Sequence, residues 1–172
     1  MSVSSLVRKA NKNIEASSAQ LLNIVAALDF TTTFVDYLGQ LRELGSKKEK
    51  DAIWMLFKEN MQKLKSSFGW DPKSKMEELF NPMSRFLLIE SDDQLIAFSM
   101  FRFESEEGED VLYCYDLQIQ RLQQRNGLGS FLIQALVAIA TAWRMEKVVL
   151  TVFKANHSAI KFYEASGYDV RM

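Results

Sequence analysis

The run Val111-Leu112-Tyr113-Cys114-Tyr115-Asp116-Leu117-Gln118-Ile119 is followed by Gln124-Arg125-Asn126-Gly127-Leu128-Gly129 and then by an unbroken apolar stretch. A strand, a compact glycine-containing turn and a helix start, in that order, build a place for an anion. Gly127 and Gly129 let the backbone come close to a ligand, and the free N–H groups and positive dipole end of the following helix would face it. A pyrophosphate is the natural occupant of such a turn.

The elements that must position this turn are read from periodicity. Leu6 to Leu28 reads as a first helix, polar at first and then apolar through Leu21, Leu22, Ile24, Val25 and Leu28, and Phe30 to Leu38 reads as a strand. The basic loop Gly45-Ser46-Lys47-Lys48 leads to Asp51 as a helix N-cap, and Ile53, Trp54, Leu56, Phe57, Met61 and Leu64 then recur at helical spacing to about Ser67. Phe68-Gly69-Trp70-Asp71-Pro72 is a turn with two aromatics, and Lys73 to Phe80 forms a short helix. From Arg85 the pattern becomes strand-like: Phe86 to Glu90, a Ser91-Asp92-Asp93 turn and Leu95 to Phe103 predict an antiparallel hairpin. The acidic connection Glu104 to Asp110 returns the chain into a third strand, Val111 to Gln120. A helix from Leu128 to Trp143, a strand Lys147 to Val152 and a helix Ser158 to Ser166 follow. The fold class is therefore α/β, a mixed central sheet flanked by helices and closing with βαβ units. Residues 1–50 are read as an N-terminal region packing on a domain that spans 51–172.

The chain has 172 residues, enough for one self-sufficient core, with 21 basic and 22 acidic side chains and a net charge of -1. No global field draws it to nucleic acid or to an anionic membrane, and neither is expected as a partner. Cys114 is the single cysteine and His157 the single histidine, so an internal disulfide is excluded and no metal site is expected. The absence of a secretory or membrane-length apolar run leads to the expectation of a soluble intracellular protein. Cys114 as a nucleophile lacks a plausible base and reads as a buried thiol.

The segment from Arg85 to Tyr168 resembles the GCN5-related N-acetyltransferase (GNAT) family. Its Gln/Arg-x-x-Gly-x-Gly/Ala signature is matched by Gln124, Gly127 and Gly129, and Asn156-His157-Ser158-Ala159-Ile160-Lys161-Phe162-Tyr163-Glu164-Ala165-Ser166-Gly167-Tyr168 resembles a second family helix. Asn60-Met61-Gln62, Phe101-Arg102-Phe103, Val111 to Tyr115, Phe131 to Gln134 and Leu150 to Lys154 are similar, more narrowly, to the histone N-terminal acetyltransferases (NatD). The resemblance implies acetyl-CoA as donor. Leu117, Gln118 and Ile119 would pair with its pantetheine arm through the backbone, and Gln124, Arg125, Asn126, Gly127, Leu128, Gly129 and Ser130 would cradle its pyrophosphate. Asn156 would bond the arm near the next helix.

The same resemblance implies direct attack by the N-terminal serine amine of histones beginning Ser-Gly-Arg-Gly, so that histone tails are the expected partners and the cytoplasm and nucleus the expected location. Asp116 stands where that family has a glutamate as acid–base, with Tyr115 beside it. Tyr163 is either a general acid or a packing residue. Glu104, Ser105 and Glu106 would receive the histone arginine, and Phe68, Trp70, Tyr113, Tyr115 and Thr151 would enclose the first residues. If alternation is strict, Tyr113, Tyr115 and Leu117 share one strand face and Cys114 and Asp116 the other; the resemblance implies a bulge that would change this. Two further family strands are expected beyond Met172. A monomer is expected, with strand exchange if the sheet edge is bare. Two other readings stay open: acetylation of lysine or polyamines, and a silent module that binds CoA or a basic peptide.

Overall fold

The computed structural model describes residues 4–11, 46–61 and 71–169. Among them the chain forms α1 (Ser5–Asn11), α2 (Lys47–Met61), α3 (Pro72–Leu79), β1 (Arg85–Ser91), β2 (Gln94–Glu106), β3 (Glu109–Ile119), a 3-10 turn (Arg121–Gln123), α4 (Leu128–Ala142), β4 (Lys147–Leu150) and α5 (His157–Ala165). The strands lie in the order β1-β2-β3-β4, antiparallel through the first three and parallel between β3 and β4. This is the mixed sheet that the sequence predicts. The expected strand Phe30 to Leu38, the later part of the expected first helix and the Phe68 and Trp70 turn lie outside the described residues.

Each sheet face carries its own core. On one face α4 presents Leu128, Phe131, Leu132, Ala135, Leu136 and Ile139, spaced at one helical stripe, against Leu87, Ile89, Phe101, Phe103, Leu112 and Cys114. The short α1 adds Val7 and Ala10 to this layer, and the Asn11 amide donates to the Phe103 carbonyl at 3.0 Å. Arg85, buried here, donates to the Ala10 carbonyl at 2.6 Å and lies over the Phe103 ring, and desolvation lowers its pKa to about 10. On the opposite face α2 and α3 bring Ile53, Leu56, Phe57 and Leu79 onto Phe86, Leu88, Phe98 and Met100.

Two local devices differ from the sequence reading. Helix α2 begins at Lys47 and is capped by Ser46, not Asp51: the Ser46 hydroxyl accepts from the Glu49 amide at 3.2 Å and the Glu49 carboxylate accepts from the Ser46 amide at 3.1 Å. This reciprocal box closes two orphan donors, and its Ser-x-x-Glu signal begins within the lysine-bearing Gly45 to Lys48 segment. The acidic connection is also no loop. Register pairs run on through Glu104↔Val111, Ser105↔Asp110 and Glu106↔Glu109, and only Glu107 and Gly108 turn the chain, both at positive φ (52° and 91°). Glu104 and Glu106 are therefore strand residues with defined directions.

Candidate active site

The site is built on an irregularity in β3. Met100 pairs with Asp116 and Phe101 pairs with Cys114, so Tyr115 is an extra residue facing no partner on β2. Before this bulge Leu112 and Cys114 point into the α4 core, and after it Leu117 and Ile119 pack against the same core. Tyr115 packs on the opposite core, while Asp116 forms an ion pair with Lys75 of α3. Strict alternation is thus broken as a bulge requires: Tyr115 and Asp116, neighbours in sequence, both serve the α2/α3 face.

Asp116 is nearly buried there, its side chain 7% exposed. Its Oδ2 lies 2.7 Å from Lys75 Nζ, and its Oδ1 accepts from Gln118 Nε2 at 3.2 Å. Gln118 is in turn held by Asn60 at the end of α2, whose amide donates to Gln118 Oε1 and to the Ile119 carbonyl, each at 3.0 Å. Burial raises the Asp116 pKa above the ordinary carboxylate range, and the Lys75 charge and hydrogen bonds offset only part of that effect. A carboxylate with this environment is a stronger base than one in water.

Tyr115 lies in a second polar cluster on the same face. Its hydroxyl donates to Glu104 Oε1 at 2.7 Å, the Arg102 guanidinium covers its ring at 4.3 Å, and the Tyr113 ring lies 4.6 Å away. Burial and the adjoining Glu104 raise the Tyr115 pKa, so its phenol keeps its proton and remains a donor. Arg102 reaches Ser84 Oγ at 3.1 Å and the Glu78 carbonyl, which fixes it between α3 and β2. Tyr113 shares a 2.9 Å hydrogen bond with Thr151, just after β4. Glu104 and Ser105 also line a cavity of about 800 Å³ bordered by Val7, Arg8, Asn11, Met83 and Phe103, while Ser105 and Glu106 are exposed.

Beside this face the sheet opens. β3 pairs with β4 only from Val111↔Lys147 to Cys114↔Leu150, and from Tyr115 to Ile119 it runs on without a β4 partner. The Gln124 to Ser130 turn follows. Gly127, at φ +83°, is the N-cap of α4 and offers no side-chain cap, and the first helical bond is the Phe131 amide to the Gly127 carbonyl at 3.0 Å. The amides of Leu128, Gly129 and Ser130 precede that bond at the positive end of a 15-residue helix. An open strand edge beside an uncapped helix start fits an acyl-pantetheine arm ending in a pyrophosphate.

Several expected cofactor residues have structural duties as well. A Cβ on Gly129 would stand 2.9 Å from the Phe162 ring, so this glycine also makes room for α5. Gln124 donates to the Ile119 carbonyl at 3.1 Å and ties the turn to β3. Arg125 is exposed at φ +65°. Asn156 caps α5 by accepting from the Ala159 amide at 3.2 Å, which leaves its NH₂ group for other partners. Gln118 turns its side chain inward to Asp116 and Asn60. Tyr163 is buried between Phe162 and Tyr168, and burial, with Cys114, Asp116 and Tyr168 nearby, raises its pKa. Burial likewise raises the Cys114 pKa; the thiol donates to the Asp116 carbonyl at 3.5 Å and is no nucleophile. Among the described residues no cluster of His, Cys, Asp and Glu could hold a metal ion, and no helix is long and apolar enough to cross a membrane.

The bulged strand, its open edge and the uncapped helix agree with the match of residues 51–168 to the model of the acetyltransferase (GNAT) family. The chain belongs to that family. Several solved structures share its fold. An aminoglycoside acetyltransferase from an uncultured soil metagenomic sample, in complex with trehalose, superposes with a TM-score of 0.57 at 18% identity, covering 73% of this chain and 84% of that one. A tetramutant of the BH1408 protein of Bacillus halodurans gives 0.60 at 16% identity over 73% of this chain and 90% of its own. A transcriptional regulator of Bacillus halodurans C-125 gives 0.60 at 14% identity over 78% and 95%. Such different names on one architecture leave the substrate to be decided by the site. As a GNAT acetyltransferase, the protein belongs to enzymes that take their acetyl group from acetyl-CoA.

Sequence reading missed Lys75, Asn60 and Arg102. Asn60 stood in a block used for resemblance, without a role. Arg102 likewise stood in such a block, Phe101-Arg102-Phe103, and Lys75 carried no signal of its role because Asp116 lies on another element.

Proposed function

We propose that this chain is a peptide α-N-acetyltransferase acting on the N-terminal serine of histone tails that begin Ser-Gly-Arg-Gly. The observation that carries the reading is the pair of carboxylates on one sheet face beside the open edge of β3. Asp116 is buried and basic, and Glu104 is oriented by Tyr115 at 2.7 Å. The two environments suit two jobs: one accepts a proton from an amine, the other receives a cation. An α-ammonium group has a pKa of roughly 7.7–8.0, against about 10.4 for a lysine side chain, so a carboxylate base releases it more readily near neutral pH.

Acetyl-CoA supplies the activated acetyl group, held by the backbone of Leu117, Gln118 and Ile119 and by the Gln124 to Ser130 turn. Asp116 takes the proton from the substrate amine, directly or through a water. Tyr115 holds Glu104 in place for the arginine at the third position of the tail. Glu106 and Ser105, exposed beyond it, extend the polar surface along which the basic tail lies. Tyr163, which keeps its phenolic proton, is the donor for the leaving thiolate. Tyr113 and Thr151 wall the first residue. Histone tails would be met in the cytoplasm and the nucleus, where we place the activity.

The test is acetyl transfer to two peptides, one beginning Ser-Gly-Arg-Gly-Lys and one identical but blocked at its α-amine. The expected result is acetylation of the free α-amine only, weakened when the peptide arginine becomes alanine. Equal modification of both peptides would assign lysine as substrate, and turnover of neither would leave a module that binds without transferring.

A further inference from the structure

Lys75 is the cation nearest the buried carboxylate, and nothing in the GNAT signature calls for it. It sits in the middle of α3, its side chain 21% exposed, with its ammonium 5.1 Å from the centre of the Phe57 ring. Its ammonium is shared between Asp116 Oδ2, at 2.7 Å, and the Glu78 carboxylate one turn along the helix. A surface pair between long side chains contributes little. This pair is different because Asp116 is almost sheltered from water, where an unpaired carboxylate takes up a proton.

We infer that Lys75 is a positioning residue for Asp116: its ammonium keeps the carboxyl ionised and fixes Oδ2, while Gln118 fixes Oδ1, so that the base stands ready before an amine arrives. The inference rests on Asp116 being the base. The groups facing Asp116 make Lys75 the decisive one. Glu78 on α3 carries a like charge, Cys114 on β3 and Tyr163 on α5 are neutral, and α2 offers Phe57 and, through Gln118, the neutral Asn60. On β2, Arg102 is occupied by the Glu78 carbonyl and Ser84 and covers Tyr115 instead. Lys75 itself responds as a partner of a charged carboxylate should: burial works to lower its pKa, but Asp116 and Glu78 outweigh that and the net shift is upward.

The experiment reads the Asp116 carboxyl directly by ¹³C NMR titration of the full chain, alongside the pH dependence of kcat/KM for the Ser-Gly-Arg-Gly-Lys peptide. In Lys75→Met the titration midpoint of Asp116 and the acid limb of the profile should both move up, by about one unit or more for loss of a cation in contact. Lys75→Arg, which keeps the charge, should restore both toward the parent, and Glu78→Gln should move them down. A midpoint unchanged in Lys75→Met, or one raised equally in Lys75→Arg, would overturn the inference. The two readouts separate the claims. If Asp116→Asn transfers acetyl at the parent rate, the base assignment fails while the NMR midpoint still judges Lys75; if Asp116→Asn is inactive and the midpoint does not move, Lys75 alone fails.

Discussion

The two faces of β3 are made from one strand and do opposite things. Toward α4 the strand presents Leu112, Cys114, Leu117 and Ile119 to an apolar layer. Toward α2 and α3 it presents Tyr113, Tyr115, Asp116 and Gln118, tied by hydrogen bonds and an ion pair to Thr151, Glu104, Lys75 and Asn60. One inserted residue separates the two patterns. The bulge keeps the apolar side in register with the core while it sets two polar residues side by side on the other. The lesson is that β3 gives only packing to one face and its polar groups to the other, where they lie beside a second core of Ile53, Phe57, Phe98 and Met100, so substitutions along this strand should divide the same way.

The largest effect should come from the polar face. Asp116→Asn removes the proton acceptor, and general-base losses of about 10²- to 10⁴-fold are expected in kcat/KM, with substrate binding little changed. In the parent, activity should rise with pH as Asp116 loses its proton, with a midpoint above the ordinary carboxylate range because burial disfavours the charged form. A steady-state pH profile checks both points, and an unaltered acid limb in Asp116→Asn would break the division. The apolar face should answer differently. Phe101→Ala empties a fully buried site against α4 and is expected to lower unfolding free energy by about 3–5 kcal/mol in denaturant titration.

Gly129→Ala tests the seam between the faces. The new Cβ would stand 2.9 Å from the Phe162 ring, so that ring must give way, and overpacking of this kind costs about 1–3 kcal/mol. If Gly129 were needed only for ligand approach, the variant would keep its melting temperature and lose only affinity for CoA. Tyr115→Phe is smaller. It deletes the 2.7 Å bond to Glu104 and should raise KM for the arginine-bearing peptide about tenfold, roughly 1.4 kcal/mol, with little change for a peptide whose arginine is alanine.

Sequence carried the apolar face well and the polar face in part. The apolar run predicts a helix from Leu128 to Trp143, and residues 128, 131, 132, 135, 136 and 139 form the stripe of it that packs inside. Asp116 and Tyr115 were reached through resemblance, not through pattern, because a bulge leaves no mark in a strand's composition. The Lys75 to Asp116 pair joins two elements far apart in the chain, and no local rule connects a lysine in a short helix to a carboxylate in a distant strand. Glu104 was found but placed in a loop, since a run of acidic residues looks like one until the two-residue Glu107-Gly108 turn shows the hairpin continuing. Ser46 and Glu49 were legible and passed over: the box has a known spacing, but flanking lysines gave the segment the look of a basic loop.

That box supplies the smallest and sharpest test. Ser46→Ala removes the acceptor for the Glu49 amide and should cost about 1 kcal/mol. Helix α2 packs Ile53, Leu56 and Phe57 on the face that carries Asp116 and at its far end holds Gln118, and through it Asp116, by way of Asn60. If the two faces unfold as one unit, hydrogen exchange should quicken equally in α2 and α4. If the polar face opens alone, amides of α2 should quicken while those of α4 keep their protection, and kcat/KM should fall only by the fraction of molecules with α2 released. The second outcome is expected, because α4 buries eight side chains whereas α2 buries three, Ile53, Leu56 and Phe57. A weak cap far from the base would then act on catalysis through the helix that positions it.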